Sequence, residues 1–230
     1  MKMNSSNEKQ EKPVITAKID GFFLHFYDIS VFIARFFREA FRPPPEWAEF
    51  VRQCYQVGYK SLALVTVTGF ITGVVFTEQS RPTLAEFGVT AWLPSLVAIA
   101  VVRALAPLIA ALICAGKVGS SIGAELGSMK VTEQIDAMEV SAIHPFRYLV
   151  VTRVLAMTVC LPLLMFYNGL IGCLGSYVDV HVHEQTSFIA FFDTAFTQIT
   201  FLDYATALTK AIVYGFTIGI VSCYQGFNAS

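Results

Sequence analysis

From residue 91 to residue 115 the chain carries a single charge, Arg103, in an otherwise apolar run. A stretch of that length has one favourable fold in lipid: about 20 apolar residues in an α-helix cross a bilayer with every backbone polar group satisfied internally. Three other stretches behave alike. Residues 61–77 carry no charge, and extension back to about residue 58 reaches spanning length; 148–178 holds only Arg153; 204–224 holds only Lys210. Pro162 interrupts the third, which reads as one long tilted or kinked helix because two spans would need about 40 residues and a turn. The composition agrees, with 55% hydrophobic and 14% charged residues and a mean hydropathy of +0.58, where soluble domains average about 45–50% and about 25%. The expected fold class is all-α, a polytopic membrane helical bundle with spans near 58–77, 91–115, 148–178 and 204–224.

Before the first span, residues 1–18 are rich in Asn, Ser, Glu, Lys and Gln and read as a mobile tail, without the compact apolar core of a signal peptide. Residues 19–45 set Phe22, Phe23, Phe26, Ile29, Ile33, Phe36, Phe37 and Phe41 against His25, Asp28, Arg35, Glu39 and Arg42, the pattern of an amphipathic helix lying in the membrane interface. Pro43, Pro44 and Pro45 end it. Residues 46–60 read as a lead-in helix and 46–230 as one membrane domain. Gly69 and Gly73 form a GxxxG pair, open to packing within the subunit or to dimerisation, while Gly169, Gly172 and Gly175 suggest tight packing along the third span. A turn is expected around Glu78, Arg81, Pro82 and Glu86, and a loop over 179–203 whose Phe188, Phe191, Phe192 and Phe196 anchor it at the interface.

Charge orients the spans. Nine of the sixteen Lys and Arg residues fall within residues 1–60 and four within 117–153, segments that four crossings place on one side, which the positive-inside rule makes cytoplasmic. The segment 116–153 is the longest polar interruption between spans. Its first part is rich in Gly and Ser; Val131, Ile135, Met138 and Ala142 then recur at helical steps, predicting an amphipathic helix from about Lys130 to Ile143, before His144-Pro145. Within the second span, Pro94 and Pro107 should each free a carbonyl and bend the helix. Arg103 either pairs with a carbonyl or carboxylate inside the bundle or holds a ligand headgroup. Asp203 and Lys210 are seven residues apart and share a helix face; Lys210 reads first as a snorkelling side chain.

Much chemistry is excluded. Gly116-Lys117 lacks the GxxxxGK[ST] frame of a nucleotide-binding loop, and no GxSxG or HExxH motif occurs. The five cysteines form no CxxC pair and read as small hydrophobes, and a net charge of -1 gives no nucleic-acid signal. His181-Val182-His183-Glu184 is a weak metal pattern, the basis of an alternative reading as a membrane-embedded lipid-modifying enzyme; a non-catalytic scaffold is the third reading. With no catalytic residues of its own expected, the amphipathic helix between spans two and three is the place for a partner's groove to receive Val131, Ile135 and Met138.

The string GAELGSMKVTEQIDAMEVSAIHPFRYLVVTRVLA, with VRALAPLIAALICAGKVGSSIGAELG and TKAIVYGFTIGIVSCYQGFNAS, closely resembles the MlaE/YrbE family of ABC transporter permeases, which work with MCE-domain proteins on lipids. The resemblance implies a permease subunit, not an enzyme, in a bacterial inner membrane, serving intermembrane phospholipid traffic and outer-membrane lipid asymmetry. It implies a second copy of the permease, an outer MCE-domain partner, and ATP and Mg bound by a separate ATPase, with no cofactor in this chain. Phe76, Phe87, Arg103 and Leu105 match positions that line the family's lipid cavity, and Asp203 and Lys210 match a polar pair. The ATPase contact would involve Glu125, Lys130, Val131, Glu133, Gln134, Ile135, Asp136, Met138 and Glu139. Two departures stand out: Ala104 replaces a glutamate that many relatives carry after the arginine, and relatives continue past Ser230 into a fifth span that this sequence does not contain.

Overall fold

The computed structural model describes residues 14–42 and 46–229, with side-chain surroundings from residue 27 onward. All regular structure among them is helical. Helix α1 (Val14–Ala40) forms a unit of its own. It begins earlier than expected, since residues 14–18 are helical, whereas the rest of the expected tail and the three prolines lie outside the described residues.

The second unit holds four helices long and apolar enough to cross a membrane: α2 (Trp47–Glu86), α3 (Thr90–Val131), α5 (Phe146–Glu184) and α7 (Phe201–Phe227). The short helices α4 (Gln134–Val140) and α6 (Phe188–Thr197) lie between them. Each span overruns the expected core because helix formation continues past the apolar run into charged residues that find partners. Thus α2 absorbs the lead-in residues and the expected turn, passing through Pro82 to the left-handed Gly88. Similarly, α3 carries the Gly- and Ser-rich residues 116–131 as a continuation of the second span.

Helix α5 is central, with 72% of its most apolar window buried against 28–44% for the other spans. Small residues let its neighbours approach. A Cβ on Gly69 would collide with Asn168, one on Gly73 with the Gly172 carbonyl, and one on Gly175 with the Phe70 carbonyl. The GxxxG pair is therefore spent on α5 inside the subunit. On the opposite side, Gly215 and Gly219 of α7 seat against Met157 and Val154 of α5. Leu93, Val97, Val101, Cys173, Val180 and Phe191 form the core at the end where α6 covers α3 and α5. The expected loop over 179–203 is thus a helix end followed by a second helix, with Phe191 buried as core rather than lying at the interface.

The expected helix from Lys130 to Ile143 is broken. Helix α3 runs to Val131, Glu133 takes a left-handed conformation (φ 57°), and α4 spans only Gln134–Val140. The β-branched pair Val131-Thr132 weakens the helix here, and the Thr132 hydroxyl donates to the Ser128 carbonyl at 2.7 Å. Val131 and Ala142 consequently do not share a helix with Ile135 and Met138.

Candidate functional site

Two charged levels bracket the bundle. At one, Lys117 of α3 donates from Nζ to the Lys60 carbonyl of α2. At the other, Arg81 of α2 donates to the Asp179 carboxylate of α5, with Glu78 at 3.5 Å and Glu184 at 4.0 Å. The helix rise from Lys60 to Arg81 is about 31 Å, which matches the thickness of a hydrocarbon core. Arg103 lies about 20 Å along α3 from Lys117 on the same measure, and so falls in the half of the span nearer the Arg81 level.

At that depth α3 and α7 bring three charges together. Arg103 Nη1 lies 3.6 Å from Asp203 Oδ1, and Lys210 Nζ donates to the Arg103 carbonyl at 3.2 Å. The carbonyl is available because Pro107, one turn on, has no N–H to give it. By contrast Pro94 sits in the first turn of its helical segment, where no N–H is needed, and frees nothing. Asp203 is held by the helix start: its Oδ2 accepts from the Thr200 N–H at 3.0 Å in a capping box. Two cations and one carboxylate leave an excess of one positive charge. Arg103 remains 59% exposed, and Lys210 lines an open hollow of about 400 Å³ with Thr206, Thr209 and Tyr214.

The other expected cavity residues are dispersed. Phe76 and Leu105 are half-buried against the core beside α6, whereas Phe87 is 75% exposed at the end of α2. None of the four lines the partly open apolar cavity of about 110 Å³ between α3, α5, α6 and α7, which is bounded by Val102, Ala106, Met165, Cys173 and Tyr204. The sequence placed Asp203 and Lys210 on one face, but it gave no sign that both converge on Arg103, a hundred residues away.

At the Lys117 end, the residues expected to meet an ATPase take distinct places. Ile135 is fully buried and Met138 half-buried, while Val131, Glu133, Gln134, Asp136 and Glu139 are exposed. Lys130 Nζ bridges the break to Asp136 Oδ1 at 3.2 Å. Glu125 pairs with the buried Arg153 at 2.8 Å, a contact that the sequence signalled only through an isolated arginine in an apolar helix.

The metal pattern His181-Val182-His183-Glu184 is not assembled. Its residues lie on α5, where adjacent alternate positions diverge: His181 Nδ1 bonds the Thr186 carbonyl and its ring stacks on Tyr177, while His183 turns to Glu78 and Asp179. Glu78, Asp179 and His183 do bring potential ligand atoms within 4.8 Å of one another, but the Arg81 guanidinium already occupies the Asp179 carboxylate.

Fold and polar clusters together define a multi-pass membrane bundle with charged groups held at depth. The chain belongs to the MlaE permease family, whose family model, described as Permease MlaE, matches residues 50–230. It is 33% identical over 227 residues to a probable ABC transporter permease protein of Rickettsia typhi, covering 99% of this chain and 85% of the relative. A probable ABC transporter permease protein of Synechocystis is 33% identical across 78% of this chain and 68% of its own length. The chloroplast protein TRIGALACTOSYLDIACYLGLYCEROL 1 of Arabidopsis thaliana is 31% identical across 80% of this chain and 53% of its own length. The chain is accordingly a transport permease.

Proposed function

We propose that this permease moves phospholipid, as a subunit of an ABC transporter in a bacterial inner membrane. The observation that supports the reading is the net positive charge of the Arg103, Lys210 and Asp203 cluster, at a depth that the positive-inside orientation would put in the outer half of the bilayer. An exposed cation in hydrocarbon is unfavourable unless it meets water or an anion, and a phosphate in an amphiphile supplies that anion at the required depth with geometry suited to a guanidinium. The name of the plant relative, which refers to a galactolipid, is in keeping with lipid cargo. Phe76, Phe87 and Leu105 would offer apolar surface to acyl chains, most directly where a second copy of the chain closes the exposed face.

ATP and Mg bind to a separate ATPase subunit in this reading, and that subunit engages the hinged α4 segment on the cytoplasmic side. An MCE-domain protein receives or delivers lipid on the other side. The test is to purify the permease with its native partners, quantify bound phospholipid by mass spectrometry, and measure ATP-driven transfer of labelled phospholipid from proteoliposomes. R103M/K210M should lose most bound lipid and transfer while retaining assembly with the ATPase. Unchanged lipid occupancy and transfer in that variant would refute the assignment.

A further inference from the structure

Arg153 stands about two turns into α5, one residue from Val154, on which Gly219 of α7 is seated with only 3.1 Å between a Cβ placed there and the Val154 Cα. Its side chain is 2% exposed. A guanidinium so buried requires a carboxylate and hydrogen-bond acceptors around its fork. It has one carboxylate: Nη2 lies 2.8 Å from Glu125 Oε1 of α3, and Nε and Nη1 have no hydrogen-bond partner among the described residues. Glu125 itself is 50% exposed. The pair is therefore asymmetric, with a cation locked inside the bundle and an anion reachable from outside.

The position of the pair gives the asymmetry a role. Glu125 is eight residues beyond Lys117, about 12 Å past the lysine level and outside the hydrocarbon. It lies less than two turns before Val131, where α3 ends and the left-handed Glu133 leads into the α4 segment. Around it α3 is wedged against α7, whose Gly226 would place a Cβ 2.7 Å from the Gly123 carbonyl. A displacement of α4 by a partner reaches the central helix through the end of α3, and the Glu125–Arg153 contact is the charged link on that route. Pulling Glu125 away leaves a buried arginine without its counter-ion, so the two arrangements of α3 differ sharply in energy and α5 cannot stay indifferent to which is adopted.

We propose that Arg153 is a positioning residue that ties the ATPase-facing end of α3 to α5 through Glu125, and that this tie transmits the nucleotide-driven movement to the central helix. The inference rests on the proposed ATPase coupling, so its test has one readout that needs no lipid. The complex isolated from native membranes with its ATPase is compared with and without Mg and a non-hydrolysable ATP analogue, following amide hydrogen exchange in α4 and in residues 146–160, and the ratio of lipid transferred to ATP hydrolysed is measured in parallel. E125Q should lower the melting temperature by stranding the arginine; E125Q/R153M, apolar at the buried site, should recover it. Both variants should keep nucleotide-dependent exchange in α4, lose it in residues 146–160, and transfer at least about fivefold less lipid per ATP. A double variant that regains stability together with wild-type propagation to residues 146–160 overturns the inference and makes the pair merely structural. Propagation lost in both variants while the wild-type complex moves no phospholipid upholds the link and refutes the lipid reading instead.

Discussion

Two helices end in the same way with different residues at the critical position, and exchanging them isolates a backbone energy. At the end of α2 the N–H of Val89 donates to the Leu84 carbonyl and that of Gly88 to the Ala85 carbonyl, both at 3.0 Å, with Gly88 left-handed at φ 68°. At the end of α4 the N–H of Ile143 donates to Met138 at 3.1 Å and that of Ala142 to Glu139 at 3.0 Å, with φ 60° at Ala142. Both are Schellman closures, but the second forces a Cβ toward the following carbonyl at about 1–2 kcal/mol. Glycine removes that term but costs about 0.4–1 kcal/mol through the greater entropy of the unfolded chain, so A142G should gain a net of about 0.5–1 kcal/mol. In hydrogen exchange the amides of α4 should then open about two- to fivefold less often. The reverse change, G88A, should destabilise the α2 end by about 1 kcal/mol; nothing lies within 4 Å of a Cβ built there, so no clash contributes. Exchange in α4 that is unchanged or faster in A142G would refute the reasoning.

Gly215 is a packing counterpart: a Cβ there would sit 2.7 Å from the Met157 carbonyl oxygen, so α7 and α5 must part by about 0.7 Å, and G215A should lose about 1–3 kcal/mol in detergent melting. Gly116 is the control, since its Cβ would meet nothing within 4 Å, and G116A should gain about 0.5–1 kcal/mol; equal melting of the two variants would contradict the account. R81M leaves Asp179, whose side chain is 4% exposed, beside Glu78 and Glu184 without their cation, and should cost about 2–4 kcal/mol. A variant that melts at the wild-type temperature would count against this arrangement.

The spans were legible because length and polarity are local properties: 91–115 announces a crossing without reference to any other residue. Their ends were not, because they depend on distant partners. Pro82 and the charges around it look like a turn, yet the helix runs through them and Arg81 pairs with Asp179, 98 residues away. The same holds for the candidate sites. Arg103 was conspicuous as an isolated charge, but the identity of its counter-ion is a matter of where α7 starts relative to α3, and that offset is set by tertiary packing. Periodicity failed at residues 131–142 for a different reason. The apolar steps are real, but they are interrupted by a left-handed glutamate, a conformation that no hydrophobic pattern encodes.

The distribution of close contacts separates a frame from moving parts. Between α2 and α5, three glycines bring backbone against backbone or against the buried Asn168, and Arg81 pins the far end to Asp179. Contacts of that kind have no side chain to re-pack, so sliding one helix on the other must break them together. Helix α3 is held differently. Gly226 of α7 closes on its Gly123 carbonyl, but beside Gly119 and Gly123 an open groove of about 610 Å³ runs along α7, lined also by Thr217, Ser222 and Gln225. Two of its charged ties, Arg103 to Asp203 and Glu125 to Arg153, each leave one partner half exposed or more, where solvent or a ligand can compete for it. The helix carrying both the excess positive charge and the break at Glu133 is thus the one whose attachments can be exchanged, which suits the proposed passage of movement from one end of α3 to the charged cluster about two-thirds of the way along the span.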